Sequence, residues 1–227
     1  MECIVNVKTR AYLPKQLASL TDEYETASFH YDHTTESLDC KLLTDNLYKP
    51  YFEQIYPPII HDHELTADML DTLTSYTDSR SNQCYMKTNL NLLSANIDEI
   101  DWTYVNKLRS LIRGLVQTNL KHRYYRGLTL SDREIRYYQT SRGGCYYTNS
   151  FSSFTIDRLL IYAGNAILIL ITDHCSDRAK KNLANIWQWS TDAQEKEALL
   201  AVGTKLNVVS VHYYGCKWEI EVTLAED

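Results

Sequence analysis

The sequence lacks any apolar run long enough to cross a lipid bilayer. The longest, NAILILIT at residues 165–172, is far shorter than the roughly 20 residues that a membrane-spanning helix needs. The opening residues, MECIVNVKTR, do not have the pattern of a signal peptide. We therefore expect no membrane span and take a cytoplasmic location as the default, with secretion left open.

Motifs that hold metals or nucleotides are also missing. None of the six cysteines forms a C-x-x-C pair, so neither a zinc ribbon nor a thioredoxin-type motif is present. The alternating His and Asp residues of HYDH (30–33) and HDHE (61–64) lack a specific zinc spacing, and we interpret them as solvated loops rather than a metal site. With no G-x-G-x-x-G or Walker loop, any nucleotide has to be held in another way.

Positive charge is scarce. The 227 residues include 23 Lys and Arg against 29 Asp and Glu, a net charge of −6, whereas a sequence-independent nucleic-acid binder is normally basic. We therefore expect no nucleic-acid partner. Phenylalanine is also scarce, with 4 Phe against 18 Tyr. Because tyrosine packs at one end and hydrogen-bonds at the other, this ratio favours a protein with a large polar groove.

Periodicity divides the chain into a helical first part and a strand-rich second part. Residues 1–60 are polar and irregular and are predicted to be an N-terminal extension of unknown role, followed by one domain over residues 61–227. Thr66 is a candidate helix cap, and a second helix is predicted over residues 103–120. Ser131 and Glu134 have the spacing of a capping box at the start of a later helix.

The second half contains the predicted strands. RYYRGLT indicates a short strand, and NAILILIT indicates a central strand buried on both faces. KLNVVSVHYYG and KWEIEVTLAE alternate in polarity and are joined by the hairpin signal YYGCK. Helices first and strands later predict an α+β fold.

Three segments of the second half carry chemically useful side chains in the order arginine, serine, glutamate. YYRG places Arg126 at the end of a predicted strand, and SFSSFTIDR is a hydroxyl-rich strand that contains Ser153. QEKEALL supplies Glu195 and Glu197, which would share one face of an extended segment with Lys196 turned away. Two carboxylates this close repel each other unless a cation lies beside them.

This order resembles the arginine–serine–glutamate class of mono-ADP-ribosyltransferases. Members typically read Y-R-G, then F-x-S-T-S or F-T-S-x-S, then E-x-E-V-L before a P-G-T-x-F-x-V strand, where this chain has EKEALLAVGTKLNVVSV. LTSYTDSRSNQCYMKTNLNLL is similar to the family's Y-T stretch and N-x-x-L segment, and YRGLTLSDREIRYYQ to its R-G-L-x-L-S-x-x-E-I-x-x-Y continuation. The resemblance covers roughly residues 65–225. It implies a helical N-terminal lobe packed on two β-sheets that form an NAD cleft.

The resemblance also implies a reaction and its participants. ADP-ribose is transferred from NAD, a co-substrate, to an arginine of a protein substrate, with release of nicotinamide and no metal. Glu197 would stabilise the oxocarbenium-like state and hold the nicotinamide ribose. Glu195 is the acid that goes with arginine as acceptor, because a carboxylate can pair with the guanidinium and take its proton.

Three further residues receive roles from the resemblance. Arg126 would bind the NAD phosphates or the adjacent ribose, Gly127 would hold the nicotinamide amide through its main chain, and Ser153 would orient Glu197. Ser152 is the alternative if the strand register shifts by one.

Two segments depart from the family pattern. Phe154 and Thr155 replace the Thr and Ser of S-T-S, although Thr155 keeps a hydroxyl on the face of Ser153. An aromatic and a proline are typical where this chain has Asp192 and Ala193. Two nearby aromatic residues, Trp187 and Trp189, would contact either the substrate or the core. Two alternatives to arginine transfer therefore stay open, namely NAD hydrolysis and an inactive module that kept the fold for protein interaction.

Overall fold

The computed structural model describes residues 45–53, 59–61, 64–78, 84–115, 120–161 and 164–226. Within them lie these α-helices: α1 (Ala67–Thr77), α2 (Cys84–Leu93), α3 (Trp102–Gly114), α4 (Asp132–Thr140) and α5 (Asp177–Lys180). The strands are β1 (Arg123–Leu128), β2 (Cys145–Tyr147), β3 (Ser152–Thr155), β4 (Ala166–Ile171), β5 (Leu183–Asn185), β6 (Glu197–Leu200), β7 (Lys205–Tyr214) and β8 (Lys217–Leu224). Short 3₁₀ turns occupy Lys49–Tyr51, Ile97–Glu99, Arg158–Leu160, Trp187–Trp189 and Ala193–Glu195.

Side-chain caps start the helices where the sequence indicates. The Thr66 hydroxyl accepts a hydrogen bond from the Met69 main-chain N–H at the start of α1 (3.3 Å), and the capping box of α4 is complete. The prediction for α3 was too long, because this helix ends at Gly114. Leu115 turns to an extended conformation and forms a β-bridge with Ile60, so a tertiary contact ends the helix.

The strands follow one hydrogen-bonded order, β2-β7-β8-β4-β1-β3-β6-β5. Strands β1 and β3 share a single residue pair, Tyr125 with Thr155, so the order divides into two half-sheets that meet there. The predicted hairpin joins β7 to β8, with Gly215 at φ 66° in its turn. The apolar run predicted as a central strand forms β4, which lies between β1 and β8.

Two hydrophobic clusters form the core. The first is formed by residues of both half-sheets and of α4, and it contains Ala198 and Leu200 of β6. The other joins helices α1–α3 to the opposite face of the β3-β6-β5 half-sheet and contains Leu199, the residue between them. Successive strand residues point to opposite faces, which is how β6 contributes to both clusters. The predicted α+β fold, with a helical lobe packed on the sheet, is confirmed.

Part of the segment predicted as an N-terminal extension packs on the rest of the chain. Tyr48 is fully buried, and its hydroxyl donates a hydrogen bond to the Leu92 carbonyl. The Asn46 amide donates to the Gly203 carbonyl at 3.1 Å, and the Phe52 ring lies against Gly203. Residues 45–53 therefore contribute directly to the packing of the helical lobe.

Candidate active site

A cleft of about 380 Å³, including its opening to solvent, lies where β1 and β3 meet. The narrow junction between the half-sheets leaves this space, because the two strands separate on either side of their single pair. The cleft is lined by all five residues to which the resemblance gives a role: Arg126, Gly127, Ser153, Glu195 and Glu197. The complete lining is Tyr125, Arg126, Gly127, Ser153, Phe154, Thr155, Leu160, Ile161, Glu195 and Glu197.

Arg126 lies buried at the base of the cleft and ties β1 to β3. Its Nη1 donates a hydrogen bond to the Ser153 carbonyl at 2.8 Å, beside the single pair of the ladder. Burial lowers the pKa of the guanidinium, while nearby Tyr76 and the carboxylate of Glu197 act in the opposite direction. The side chain is therefore a desolvated cation with one backbone partner and further N–H donors.

Strand β3 presents its hydroxyls in the register that the sequence favours. Ser153 and Thr155, two residues apart, both line the cleft, whereas Ser152 does not. The Thr155 hydroxyl accepts a hydrogen bond from the Asp157 main-chain N–H at 3.1 Å, which turns the chain at the end of the strand.

Glu195 and Glu197 share the cleft, but the reason given by the sequence is wrong. They do not lie on one extended segment: Glu195 ends a 3₁₀ turn and Glu197 begins β6. Lys196 between them is left-handed, with φ 49° and ψ 47°. This backbone turn, rather than strand alternation, brings both carboxylates to the cleft. Lys196 is not among the residues that line the cleft, and its ammonium pairs with Asp157.

Two buried residues of the helical lobe, Asn89 and Tyr76, are hydrogen-bonded to each other close to the site. Asn89 of α2 donates a hydrogen bond to the Tyr76 hydroxyl of α1 and accepts one from the Phe151 main-chain N–H, both at 3.1 Å. Burial raises the pKa of Tyr76, and the negative charge of Glu197 raises it further. Neither residue had been assigned to the site. The sequence signal for them was the Y-T and N-x-x-L resemblance, which contains both.

Comparison with solved structures identifies the architecture. HopU1, an ADP-ribosyltransferase of Pseudomonas syringae pv. tomato DC3000, superposes with a TM-score of 0.55 at 15% identity, covering 72% of this chain and 79% of that chain. C3stau2 from S. aureus, solved with NAD, gives 0.54 at 17% identity, covering 72% and 89%. The ADP-ribosyltransferase Vis of Vibrio splendidus, solved with agmatine, gives 0.53 at 14% identity, covering 71% and 75%. The chain has the ADP-ribosyltransferase fold. Neither a protein-family model nor the sequence of a curated protein matches it.

In this ADP-ribosyltransferase fold, the two tryptophans of the loop before β6 differ in their burial. Trp187 is 41% exposed, whereas Trp189 packs partly against the cluster of the helical lobe. The Asp192 carboxylate accepts from the Gln194 main-chain N–H at 3.2 Å and caps the turn that carries Glu195. Trp187 is therefore the more exposed of the two, and neither tryptophan is among the residues that line the cleft.

Other features of this ADP-ribosyltransferase-fold chain lie apart from the cleft. The main-chain N–H of His61 donates to the Glu64 carboxylate at 2.9 Å, while Asp62, His63 and residues 30–33 lie outside the described residues. The described ranges contain no group of three or more His, Cys, Asp or Glu that is arranged to hold a metal ion. The same ranges contain no helix that is long and apolar enough to cross a membrane.

Proposed function

We propose that this chain transfers ADP-ribose from NAD to an arginine side chain of a protein and releases nicotinamide. The observation that carries the proposal is the convergence of Arg126, Gly127, Ser153, Glu195 and Glu197 on one cleft of an ADP-ribosyltransferase fold. Two of the similar structures were solved with relevant small molecules, C3stau2 with NAD and Vis with agmatine, which carries a guanidinium group.

Arg126 and its neighbours would bind NAD. A guanidinium has five N–H donors, of which the Ser153 carbonyl takes one, so others remain for phosphate oxygens. Because Arg126 is buried, its interaction with an anion is screened less than at the surface. Gly127, the next residue of β1, would hold the nicotinamide amide through its main chain.

Glu197 would act on the bond that breaks. In the proposed step the bond from ribose C1′ to the nicotinamide nitrogen breaks, and its electron pair leaves with nicotinamide. The positive charge that develops on the ribose is stabilised by the Glu197 carboxylate, which the fold holds in place with only 3% exposure. Ser153, on the adjacent strand, would orient this carboxylate.

Glu195 would prepare the acceptor. A protonated guanidinium is a poor nucleophile, and a carboxylate that pairs with it can accept the proton as the bond from its nitrogen to C1′ forms. The incoming cation also relieves the repulsion between Glu195 and Glu197. The two acids therefore have separate tasks, one in breaking the old bond and one in forming the new bond.

Incubation with NAD labelled on the adenylate, with and without agmatine, tests this division. We expect nicotinamide release and a labelled adduct from the wild type. Glu197→Gln should lower nicotinamide release by about 10²- to 10³-fold, because it removes the charge that stabilises the developing cation. Glu195→Gln should abolish the adduct while NAD cleavage continues. Glu226→Gln, a change at an exposed glutamate, serves as the matched control.

Each alternative has its own result. Nicotinamide release by the wild type without an adduct would indicate NAD hydrolysis, with water in place of the arginine acceptor. No nicotinamide release and no NAD binding would indicate an interaction module without this chemistry. Equal loss of both activities in both glutamate variants would contradict the separate roles.

A further inference from the structure

The loop between β5 and β6, residues 186–196, is joined to the end of helix α1 by two reciprocal hydrogen bonds. The Thr191 hydroxyl donates to the Thr77 carbonyl at 3.0 Å, and the Thr191 main-chain N–H donates to the Thr77 hydroxyl at 3.3 Å. This Thr77–Thr191 contact links residues that lie 114 positions apart in the chain. It connects the helical lobe to the loop that carries Glu195.

The contact satisfies polar groups at a place where the helix cannot do so itself. Thr77 is the last residue of α1, and the final carbonyls of a helix have no partner within it. The Thr191 hydroxyl provides a partner for one of them. The Thr77 hydroxyl donates to the Thr74 carbonyl at 3.1 Å, which orients it and leaves its oxygen to accept from Thr191. Thr191 therefore caps α1 from a distant part of the chain.

Short-range hydrogen bonds lead from Thr191 to Glu195. The Ser190 hydroxyl accepts from the Asp192 N–H, and the Asp192 carboxylate accepts from the Gln194 N–H, both at 3.2 Å. The Asp192 carbonyl accepts from the Glu195 N–H, also at 3.2 Å. Because these bonds make the segment one compact turn, a displacement of Thr191 also displaces Glu195, which lines the cleft.

The ends of the loop have anchors of their own. Ile186 is fully buried, and its N–H donates to the Glu197 carbonyl at 3.0 Å. At the other end, the Lys196 ammonium donates to Asp157 Oδ2 at 3.0 Å. Between the ends, Trp189 packs partly against the cluster of the helical lobe, and the Thr77–Thr191 contact adds directed hydrogen bonds to the same lobe. The place of Glu197 in the sheet is therefore independent of this contact.

We propose that Thr77 and Thr191 are positioning residues for the transfer step. Their contact holds Glu195 where it meets the acceptor, whereas cleavage of NAD at Glu197 does not need it. This inference rests on the proposed function, in which the two glutamates have separate tasks. Neither threonine is among the residues that line the cleft, so both act through Glu195.

Four single variants of the full chain test the proposal. Thr191→Val removes the hydroxyl that donates to α1 and keeps the shape of the side chain, whereas Thr191→Ser keeps the hydroxyl. Thr77→Val removes the acceptor on the helix. Thr140→Val is the matched control, because Thr140 is the last residue of α4 and its hydroxyl donates to the Arg136 and Tyr137 carbonyls of its own helix.

The activity readouts are kcat/KM for agmatine in adduct formation and the rate of nicotinamide release without agmatine. A hydrogen bond contributes a factor of about 2 to 10 to an equilibrium, so we expect Thr191→Val to lower the agmatine kcat/KM about three- to tenfold. Nicotinamide release should change less than about twofold. Thr77→Val should act in the same direction, while Thr191→Ser and Thr140→Val should stay within about twofold of the wild type in both readouts.

Amide hydrogen exchange measured by mass spectrometry follows the contact without reference to activity. We expect faster exchange over residues 190–195 in Thr191→Val and Thr77→Val, because a loop that has lost an anchor opens more often. Thr140→Val should leave exchange in this loop unchanged.

Each contrary result has its own meaning. Equal loss of adduct formation and nicotinamide release in Thr191→Val would show that the contact only stabilises the fold. Unchanged agmatine kcat/KM despite faster exchange would show that Glu195 does not depend on the contact, and unchanged exchange would show that the threonines do not hold the loop. Absence of an adduct with the wild type would refute the proposed function itself, and the exchange measurement would still decide whether the contact holds the loop.

Discussion

Asn89 is the residue through which the helical lobe reaches the strand that carries Ser153. Both ends of its amide are used in the interior, with the Tyr76 hydroxyl and the Phe151 main-chain N–H as partners at 3.1 Å. Breaking such contacts leaves two buried polar groups without partners, which costs more than the loss of the hydrogen bonds alone.

We expect Asn89→Leu to lower the free energy of unfolding by about 2–4 kcal/mol, because two buried groups lose their partner in a change that keeps the number of side-chain heavy atoms. Urea denaturation followed by circular dichroism measures this value. Asn91→Leu on the same helix is the matched control, since the Asn91 amide donates to the Glu99 carbonyl at 2.8 Å in an exposed position. A cost as small as that of the control would contradict the role given to Asn89.

At the residue level, the sequence indicates candidates by their order along the chain but not the contacts between them. The Arg, Ser and Glu positions were singled out because this order is distinctive; the structure places them in the lining of one cleft, and their roles stay predictions. The left-handed turn at Lys196 was not predicted, because lysine gives no local signal for it. Tyr76 and Asn89 were not assigned either: the Y-T and N-x-x-L resemblance contains both, but it does not indicate the contact between these two residues of different helices.

Helix α4 illustrates how local sequence sets an element and its electrostatics together. The Ser131 main-chain N–H donates to the Glu134 carboxylate at 2.8 Å, and the Ser131 hydroxyl donates to the same oxygen at 2.6 Å. Glu134 is nevertheless buried, and burial raises its pKa above the ordinary value of 4.5, although these hydrogen bonds oppose the shift. The cap was predictable from four residues of sequence, but the burial of its acid was not.

The raised pKa of Glu134 fixes the sign of a pH effect. The folded state binds this proton more tightly than the unfolded state, so the contribution of Glu134 favours folding at low pH. It is lost as the pH rises from the ordinary value of 4.5 through the folded pKa. We expect the unfolding free energy of the wild type to fall relative to that of Glu134→Gln as the pH rises from about 4 to about 7. Denaturant titrations across this range measure the difference, and a constant value would refute the argument.

At the scale of whole elements, the strands were easier to predict than the ends of the helices. The apolar run of β4 and the alternating hairpin of β7 and β8 are local signals, and all three strands formed. The end of α3 depends instead on the bridge between Leu115 and Ile60, which no local pattern shows. The position of the cleft has a similar origin, because the junction of β1 and β3 arises from the order of strands in the sheet.

At the scale of the whole molecule, the question is where the functional unit begins. The sequence predicted a domain over residues 61–227 after an extension, but residues 45–53 lie on the helical lobe and on the turn before β7. Tyr51 stacks on Trp102 of α3 with ring centres 4.7 Å apart, and Asn106 of α3 donates to the Tyr51 carbonyl at 3.2 Å. We propose that residues 45–53 belong to the same folding unit as the cleft.

Gly203 and Phe52 test this proposal across the predicted boundary. Gly203 has a φ of 74°, and a Cβ at this position would lie 2.5 Å from the Phe52 ring. Gly203→Ala therefore adds two costs: about 1–2 kcal/mol for a left-handed alanine, and a further cost for the steric overlap, which is typically about 1–3 kcal/mol. Phe52→Ala removes the ring and with it the overlap at 2.5 Å, but leaves the backbone cost and the 3.0 Å approach to Asn46 Nδ2 unchanged.

The two substitutions are therefore expected to be non-additive. Gly203→Ala should lower the unfolding free energy by about 1–3 kcal/mol less in the Phe52→Ala background than in the wild type. Unfolding of the four proteins in denaturant gives this coupling directly. Gly215→Ala is the matched control, because it also has a positive φ but its Cβ would meet nothing within 4 Å. Additive costs would show that Phe52 does not rest on this turn in solution, which would contradict this part of the proposal.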